Sequence, residues 1–392
     1  MTQHDSRLFL VVGKSRASAI FSPGQRIIVK GLPGGDAFTF ETRYSQKCFE
    51  TPVPDMLWVE IRGFSPTLVK AAETFGNQAR NIATILGVAA NASMGNIDVE
   101  LAYDLTPGMV EREYFQSFIP DPPISSVPNR RIHPEASMAL LRGIESHSGK
   151  APLMRALAQY NGALDNWSFG SETLCVTHLF MGLEALKSTA LDHHLLQSGL
   201  TEQQLADAWG YVKDKRKTAR EFLIHETRSR ILFDGDDECH RRAKAISDKF
   251  EHGFVNYGEL RPEAIDVVVR TAKYLRSSVI RLSGVDDGIK QILMSPPYDQ
   301  ACGPLKLVKY IWGSLIAQTE QLAADGEVYP ICQWKSVVER VYLDDQGQYT
   351  FSMNDKITPL LGEGVKLRLD KHEVWDGSKL EEKQKPKLEQ SK

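Results

Sequence analysis

Polar and apolar side chains alternate along the first 64 residues of the chain, between short stretches of turn residues. Over residues 57–62 the apolar positions fall on one face of an extended chain, which is typical of a half-buried β-strand. An apolar stripe at helical spacing then predicts a helix that starts at Ser65 and Pro66, with Ser65 as its N-cap. Further strands are predicted at 8–12, 27–30, 37–41, 99–105 and 110–118.

The period of the pattern changes to 3.6 after residue 134, and about five helices are predicted between residues 135 and 284. The segment 172–187 is apolar nearly all round, as expected of a helix at the centre of a bundle. One long helix is predicted over 201–232, followed by another over 236–252. This part of the chain therefore predicts a helical bundle.

Strand patterns return from about residue 305, with a hairpin predicted over 337–353 and a further strand over 365–375. The fold class predicted is α+β, a central all-helical bundle flanked by β-rich segments. The predicted domains are a β-rich N-terminal domain with one helix (1–119), a proline-rich linker (120–134), the helical bundle (135–300), a C-terminal β-rich segment (301–377) and a disordered tail (378–392).

Composition narrows the functional classes only slightly. The net charge of −3 provides no overall attraction to nucleic acid or to an anionic membrane, so any RNA contact needs a local basic patch. The five cysteines show no metal-ligand spacing, and the first residues lack the features of a signal peptide. We expect a cytoplasmic protein with no metal, no cofactor and no membrane partner.

A basic run is the first candidate for nucleic-acid contact. Its members crowd two turns of the helix predicted over 201–232, and cations supply most of the sequence-independent affinity for RNA. The same run is also consistent with a solvated helix face. The residues are Lys213, Lys215, Arg216, Lys217 and Arg220.

Charged side chains interrupt two apolar faces. Glu184 lies within the apolar segment HLFMGLEAL and either is hydrogen-bonded inside the bundle or lines a cleft. Arg216, Glu226 and Arg230 continue the apolar stripe of the helix predicted over 201–232, so we expect them to pair with groups on a neighbouring helix.

The end of the helix predicted over 236–252 is the second candidate site. Arg241, Asp248 and His252 share one face of this helix, and Asp248 lies one turn before His252. A carboxylate can hold an imidazole in one tautomer, and the helix dipole favours a cation at this end. His252 is either a proton-transfer group or a residue that ends the helix, with Gly253 as the C-cap.

The helical region resembles the HEPN domains, and most closely the Apea-like HEPN group of bacteria. The resemblance rests on LEAL (residues 183–186) in a central apolar helix and on His252-Gly253 at the end of a later helix, and it covers roughly residues 150–282. Many HEPN domains are metal-independent ribonucleases with a motif of arginine, a polar residue, a few more residues and then histidine. The resemblance implies a homodimer in which arginine stabilises the phosphate and histidine transfers a proton.

Transferred onto this chain, the motif is incomplete. His252 matches the histidine and Asp248 the polar residue, but Ser247 stands where the arginine is expected. One literal arginine-x4-histidine pattern, Arg220 to His225, lies elsewhere in the chain. The candidate catalytic residues are His252, Asp248 and Glu251, and Arg241 joins the basic run as a candidate RNA contact.

These observations leave three hypotheses for function. The first is a HEPN-like module that binds RNA or a protein partner, in a stress or phage-defence setting, without efficient catalysis. The second is a metal-independent endoribonuclease that uses His252 with an arginine from another segment or protomer. The third is a structural interaction protein whose β-rich segments make the contacts.

Overall fold

The structure is a computed structural model that describes residues 6–31, 36–45, 51–108, 113–116, 130–168, 170–213, 217–253, 257–304, 308–316, 321, 323–324, 331–343, 345, 349–375, 380–383 and 387–388. It contains both helices and strands, so the predicted α+β class is confirmed. The chain divides into two compact units. The first contains residues 1–43, 56–121 and 130–304, and the second contains residues 44–55, 122–129 and 305–392.

The strands before the helical region are β1 (Arg7–Ser15), β2 (Ala19–Ile20), β3 (Arg26–Lys30), β4 (Ala37–Ser45), β5 (Val53–Ser65), β6 (Asp98–Asp104), β7 (Tyr114–Gln116) and β8 (Arg130–Arg131). The helices are α1 (Leu68–Ala90), α2 (Pro134–Ser146), α3 (Lys150–Asp165), α4 (Glu172–Ser198), α5 (Glu202–Ala208), α6 (Ala219–Thr227), α7 (Asp237–Glu251), α8 (Tyr257–Leu282) and α9 (Asp287–Met294).

The N-terminal sheet has the order β3-β4-β5-β1-β6-β7. β1 lies inside the sheet and runs antiparallel to both β5 and β6, with Val11 opposite Ile61. Leu57, Val59 and Ile61 are buried while Trp58 is half-buried, which confirms the alternation predicted for this strand. β7 lies within the strand predicted at 110–118. Residue 113 directly precedes β7, and residues 110–112 and 117–118 lie outside the described residues.

Helix α1 starts later than predicted. Thr67 is its N-cap and accepts a hydrogen bond from the backbone of Lys70 at 3.2 Å. The prediction of Ser65 as N-cap is wrong, because Ser65 is the last residue of β5 and lies opposite Arg7 in β1.

A buried arginine closes the other end of α1. The guanidinium of Arg276, on α8, donates to the carbonyl of Val88 at 2.7 Å and to that of Ala89 at 3.0 Å. A cation suits the negative end of the helix dipole and satisfies carbonyls that lack partners within the helix. Arg276 is 2% exposed, and burial lowers its pKa to about 10. The N-terminal sheet and its helix are thereby joined to the helical bundle in one compact unit.

Helix α4 is the centre of the bundle, as predicted for the segment 172–187. It packs against α3, α7 and α8 and buries apolar side chains along much of its length. Gly182 permits the close approach of α8, since a Cβ at this position would lie 2.5 Å from a methyl group of Leu275.

The single long helix predicted over 201–232 is wrong. The segment forms α5, a connecting segment, α6 and then a π-helical turn over Arg228–Leu232. Gly210, with φ +89°, follows α5, and Thr218 starts α6 with a capping box that includes Glu221. These local signals end and restart the helix despite the continuous apolar period.

The second unit contains β9 (Val308–Ile316), β10 (Ile331–Leu343), β11 (Tyr349–Leu360), β12 (Lys366–Trp375), β13 (Leu380–Glu382) and β14 (Lys387–Leu388). β10 and β11 are antiparallel, which confirms the predicted hairpin. β12 pairs with β9 and β13, while β14 runs parallel to β11.

The structure divides the chain differently from the predicted domains. The N-terminal sheet and the helical bundle belong to one unit rather than to two domains separated at 120–134. Within that predicted linker, β8 pairs with β2 and Pro134 begins α2, while residues 120–129 lie outside the described residues. The tail predicted to be disordered contains two strands, β13 and β14. They form because their backbones pair with β12 and β11.

Candidate functional site

The end of α7 has the cap that the sequence predicts. His252 is the C-cap residue, and its backbone N–H points to the carbonyls of Asp248 and Phe250. Gly253 follows with φ +64°, the left-handed conformation that favours glycine after a helix. The imidazole of His252 is therefore placed at an exposed helix end.

The side chains near His252 are engaged in local contacts. Ser247 is 1% exposed, and its hydroxyl donates to the Glu251 carboxylate at 2.6 Å. The described partner of the Asp248 carboxylate is the Lys244 ammonium group, one turn earlier. Ser247 stands where the motif arginine is expected. It faces the core of the bundle and not the exposed surface on which His252 lies.

The two arginines upstream on α7 are distant or occupied. Arg241 is exposed and in no ion pair among the described residues, but it precedes His252 by three helical turns, a rise of about 16 Å. Arg242 is paired with Glu238 at 3.2 Å and with Asp266 at 2.9 Å. Arg241 shares a helix face with His252, as predicted, but the two cannot contact one phosphate together.

The described members of the basic run do not lie on two turns of one helix: Lys213 and Lys217 stand between α5 and α6, and Arg220 stands in the first turn of α6. Lys213 and Lys217 are exposed and in no ion pair among the described residues. Arg220 is held by the carboxylates of Asp192 and Glu202. Lys215 and Arg216 lie outside the described residues.

A charged pair inside the bundle joins two segments that are distant in sequence. Arg228, the first residue of the π-helical turn, donates through two nitrogens to Glu184 on α4, one of them at 2.9 Å. Lys187 adds a third hydrogen bond to this carboxylate at 3.1 Å. Although burial alone would raise it, these hydrogen bonds hold the pKa of Glu184 below its usual 4.5. Of the two alternatives for Glu184, the structure shows the hydrogen-bonded one.

Glu226 and Arg230 pair with each other at 3.0 Å, one turn apart. The sequence predicts charged partners on a neighbouring helix, and the described ion pairs of these two residues are local instead. The side chains of this stripe are partly exposed, which allows a local pair to satisfy both charges.

His240, on α7, lies beside the charged pair and between two aromatic rings. Its ring centroid is 6.3 Å from that of Phe180 and 5.2 Å from that of Phe233. Its Nε2 atom is buried without a hydrogen-bond partner among the described residues. Burial lowers the pKa of His240, and the positive charge of Arg228 acts in the same direction. His240 is therefore kept neutral.

Arg228 also begins a stretch whose spacing is similar to the motif quoted above, which the sequence prediction did not include. Arg228 is followed by the polar Ser229, and four residues separate Arg228 from Phe233. The spacing is that of arginine-x4-histidine, with phenylalanine in the place of histidine. Phe233 is 1% exposed and packs on Tyr274 as well as on His240. The pattern is present in RSRILF, residues 228–233. A search that requires a histidine does not find it, because this stretch has none.

The literal pattern from Arg220 to His225 has both residues but a different environment. Arg220 stands in the first turn of α6 and is occupied by two carboxylates, whereas His225 is exposed beside Glu226. The two carboxylates thus already bind the Arg220 guanidinium group that a phosphate would contact.

Two basic side chains contact Trp209, namely Arg230 and His194, and two exposed lysines, Lys213 and Lys217, follow it in the chain. We call these five residues the Trp209 corner. The Arg230 guanidinium lies 5.4 Å from the centroid of the Trp209 ring. The His194 ring lies 5.8 Å away on a tilted plane. His194 and its neighbour His193 are both half-buried.

The described residues contain no group of three or more His, Cys, Asp or Glu side chains that could hold a metal ion. Within the same part of the chain, no helix is long and apolar enough to cross a membrane. No family model, no curated protein and no solved structure matches this chain.

Proposed function

We propose that this protein is a HEPN-like RNA-binding module that binds its target without cleaving it. The support is the resemblance of the helical region together with the pair between Glu184 of LEAL and Arg228. Arg228 begins an arginine-polar-x3 pattern without the histidine, so this contact joins LEAL to a partial form of the motif. The observation that carries the proposal is Phe233, a buried ring at the position of the motif histidine.

Cleavage beside a ribose 2′-hydroxyl requires proton transfer and stabilisation of the phosphate charge. Each of the three positions for the motif lacks one of these functions. At 247–252 a buried serine replaces the arginine, and at 228–233 phenylalanine replaces the histidine. At 220–225 the arginine is occupied by Asp192 and Glu202.

Binding of RNA needs a local basic patch, because the whole chain carries a net charge of −3. The Trp209 corner supplies one, since Lys213 and Lys217 are exposed and in no described ion pair. By the resemblance, we further propose a homodimer formed through the bundle, in the cytoplasm of a bacterium, in a stress or phage-defence setting.

The proposal is tested by incubating the protein with total RNA in the absence of metal ions, beside the variant His252→Ala. We expect no cleavage by either protein. Cleavage by the unaltered protein that is lost in His252→Ala would contradict the proposal and support the ribonuclease hypothesis.

RNA binding is measured separately with the double variant Lys213→Ala/Lys217→Ala. We expect weaker binding and a shallower salt dependence, by about 0.7 per lysine in the log–log slope. The matched control is Lys30→Ala/Lys273→Ala, which removes the same charge from exposed positions on β3 and α8. If the unaltered protein binds no RNA, the proposal is wrong and the structural interaction hypothesis remains.

A further inference from the structure

The Trp209 ring is held rigidly by its surroundings. Trp209 is the C-cap residue of α5 and is half-buried, and it packs against the buried cluster of Leu191, Leu205, Ala206 and Leu223. Arg230 lies over the ring and His194 beside it. A rigid aromatic ring with a guanidinium over it loses little conformational entropy when another flat group stacks on the assembly.

The segment after Trp209 carries two exposed lysines close to this residue in the sequence. Lys213 follows Trp209 by four residues, and the hydroxyl of Tyr211 donates to the carbonyl of Lys217 at 2.8 Å. Val212, between Tyr211 and Lys213, is 82% exposed and adds apolar surface. Stacking surface and exposed ammonium groups therefore lie on one short segment of the chain.

We infer that the Trp209 corner recognises single-stranded RNA, with an unpaired base stacked on the Trp209–Arg230 assembly and the neighbouring phosphates on Lys213 and Lys217. This inference rests on the proposed function and specifies its target class. Proteins that bind single strands without sequence preference combine aromatic stacking with a basic track along the backbone. A duplex does not offer its base faces, so it would engage only the lysines.

Trp58 is a second tryptophan with cation contacts and can be compared with Trp209. Its ring also lies under two cations, Lys14 at 5.3 Å and Arg43 at 4.8 Å. Both cations are paired with carboxylates, Lys14 with Glu100 and Arg43 with Glu41. Arg230 at the Trp209 corner is likewise paired with Glu226, but the exposed Lys213 and Lys217 add positive charges that are in no ion pair among the described residues. Trp58 is thus a matched control, a tryptophan whose two contacting cations are both paired with carboxylates.

The test compares a 20-nucleotide single strand with the blunt duplex of the same sequence, using the full chain and fluorescence anisotropy. We expect the single strand to bind at least about tenfold more tightly than the duplex. Trp209→Leu should weaken single-strand binding by about 5- to 150-fold, the usual range for loss of one stacked base. The same variant should leave duplex binding nearly unchanged, and Trp58→Leu should leave both unchanged.

The Trp209→Phe variant keeps an aromatic ring and is expected to retain most of the single-strand affinity. If Trp209→Leu melts below the temperature of the assay, two other measurements decide the question. They are the single-strand affinity of Trp209→Phe and the ratio of single-strand to duplex affinity of the unaltered chain. Equal affinities for single strand and duplex, or full single-strand affinity in folded Trp209→Leu, would overturn this inference and leave the proposed function intact. Absence of binding to either RNA would overturn both.

Discussion

The end of α7 and the centre of the bundle each carry part of the same chemical pattern, in opposite environments. At the α7 end, His252 is exposed at the helix terminus and Ser247 stands in the position of the arginine. At the bundle centre, Arg228 is present and held by Glu184, while the buried Phe233 stands in the position of the histidine. One region has an exposed histidine with a serine at the arginine spacing, and the other has an arginine with a phenylalanine at the histidine spacing.

The comparison shows that sequence spacing alone does not identify a site. The environment of Ser247 is the core of the bundle, so a cation is excluded there by the cost of burying an unpaired charge. Arg228 is tolerated because a carboxylate receives two of its N–H groups. The presence of a partner on another helix decides which position can carry the arginine.

The largest effect is expected from placing the missing arginine at the α7 end. Ser247→Arg puts a large charged side chain at a position that is 1% exposed, so it should lower the free energy of unfolding by about 3 kcal/mol and create no ribonuclease activity. Denaturant unfolding measures the change. The control Lys244→Arg, on the exposed face of the same helix, should change stability by less than about 0.5 kcal/mol. A stable Ser247→Arg protein that cleaves RNA would reverse the comparison.

A smaller loss is expected at the bundle centre. Arg228→Met removes both guanidinium hydrogen bonds from Glu184 and should cost about 2 kcal/mol, because Lys187 remains as the only described partner of that carboxylate. A double-mutant cycle with Glu184→Gln should give a coupling energy of about 1–3 kcal/mol. Additive effects of the two substitutions would show that the pair contributes nothing to the bundle.

The smallest effect concerns pH and the neutral His240. Burial lowers the pKa of His240 below the usual 6.5, so the folded chain binds fewer protons than the unfolded chain as the pH falls. Stability is therefore fully present above about pH 6.5 and should decrease towards pH 5, with contributions of the same sign from His178 and His193. Glu184, whose pKa lies below 4.5, adds a separate loss at lower pH.

His240→Gln should flatten part of this dependence in unfolding measurements made at a series of pH values. Phe180→Leu is the control, because it removes a ring contact of His240 without removing a titratable group. It should lower stability by a similar amount at every pH in the series. An unchanged slope in His240→Gln would show that this histidine does not contribute to the acid sensitivity.

The elements that could be predicted are those whose signals are local. The hairpin of β10 and β11, the alternating strand β5 and the end of α7 at Gly253 each follow from a few neighbouring residues. The start of α1 was missed by two residues, because Ser65 can serve either a strand or a cap and the pairing with Arg7 decides between them. The break between α5 and α6 was missed because the apolar period continues through Gly210.

Local patterns in the sequence were enough to predict the α+β class, the helical centre of the chain and a helix end at His252, since hydrophobic period and capping residues act over a few positions. Only the tertiary structure decided that Arg228 meets Glu184, 44 residues away, and that Arg230 and His194 converge on Trp209. These contacts depend on how helices pack, and packing selects partners by shape and charge at long sequence separation. The chemistry of the protein is therefore set by pairings that no local pattern records.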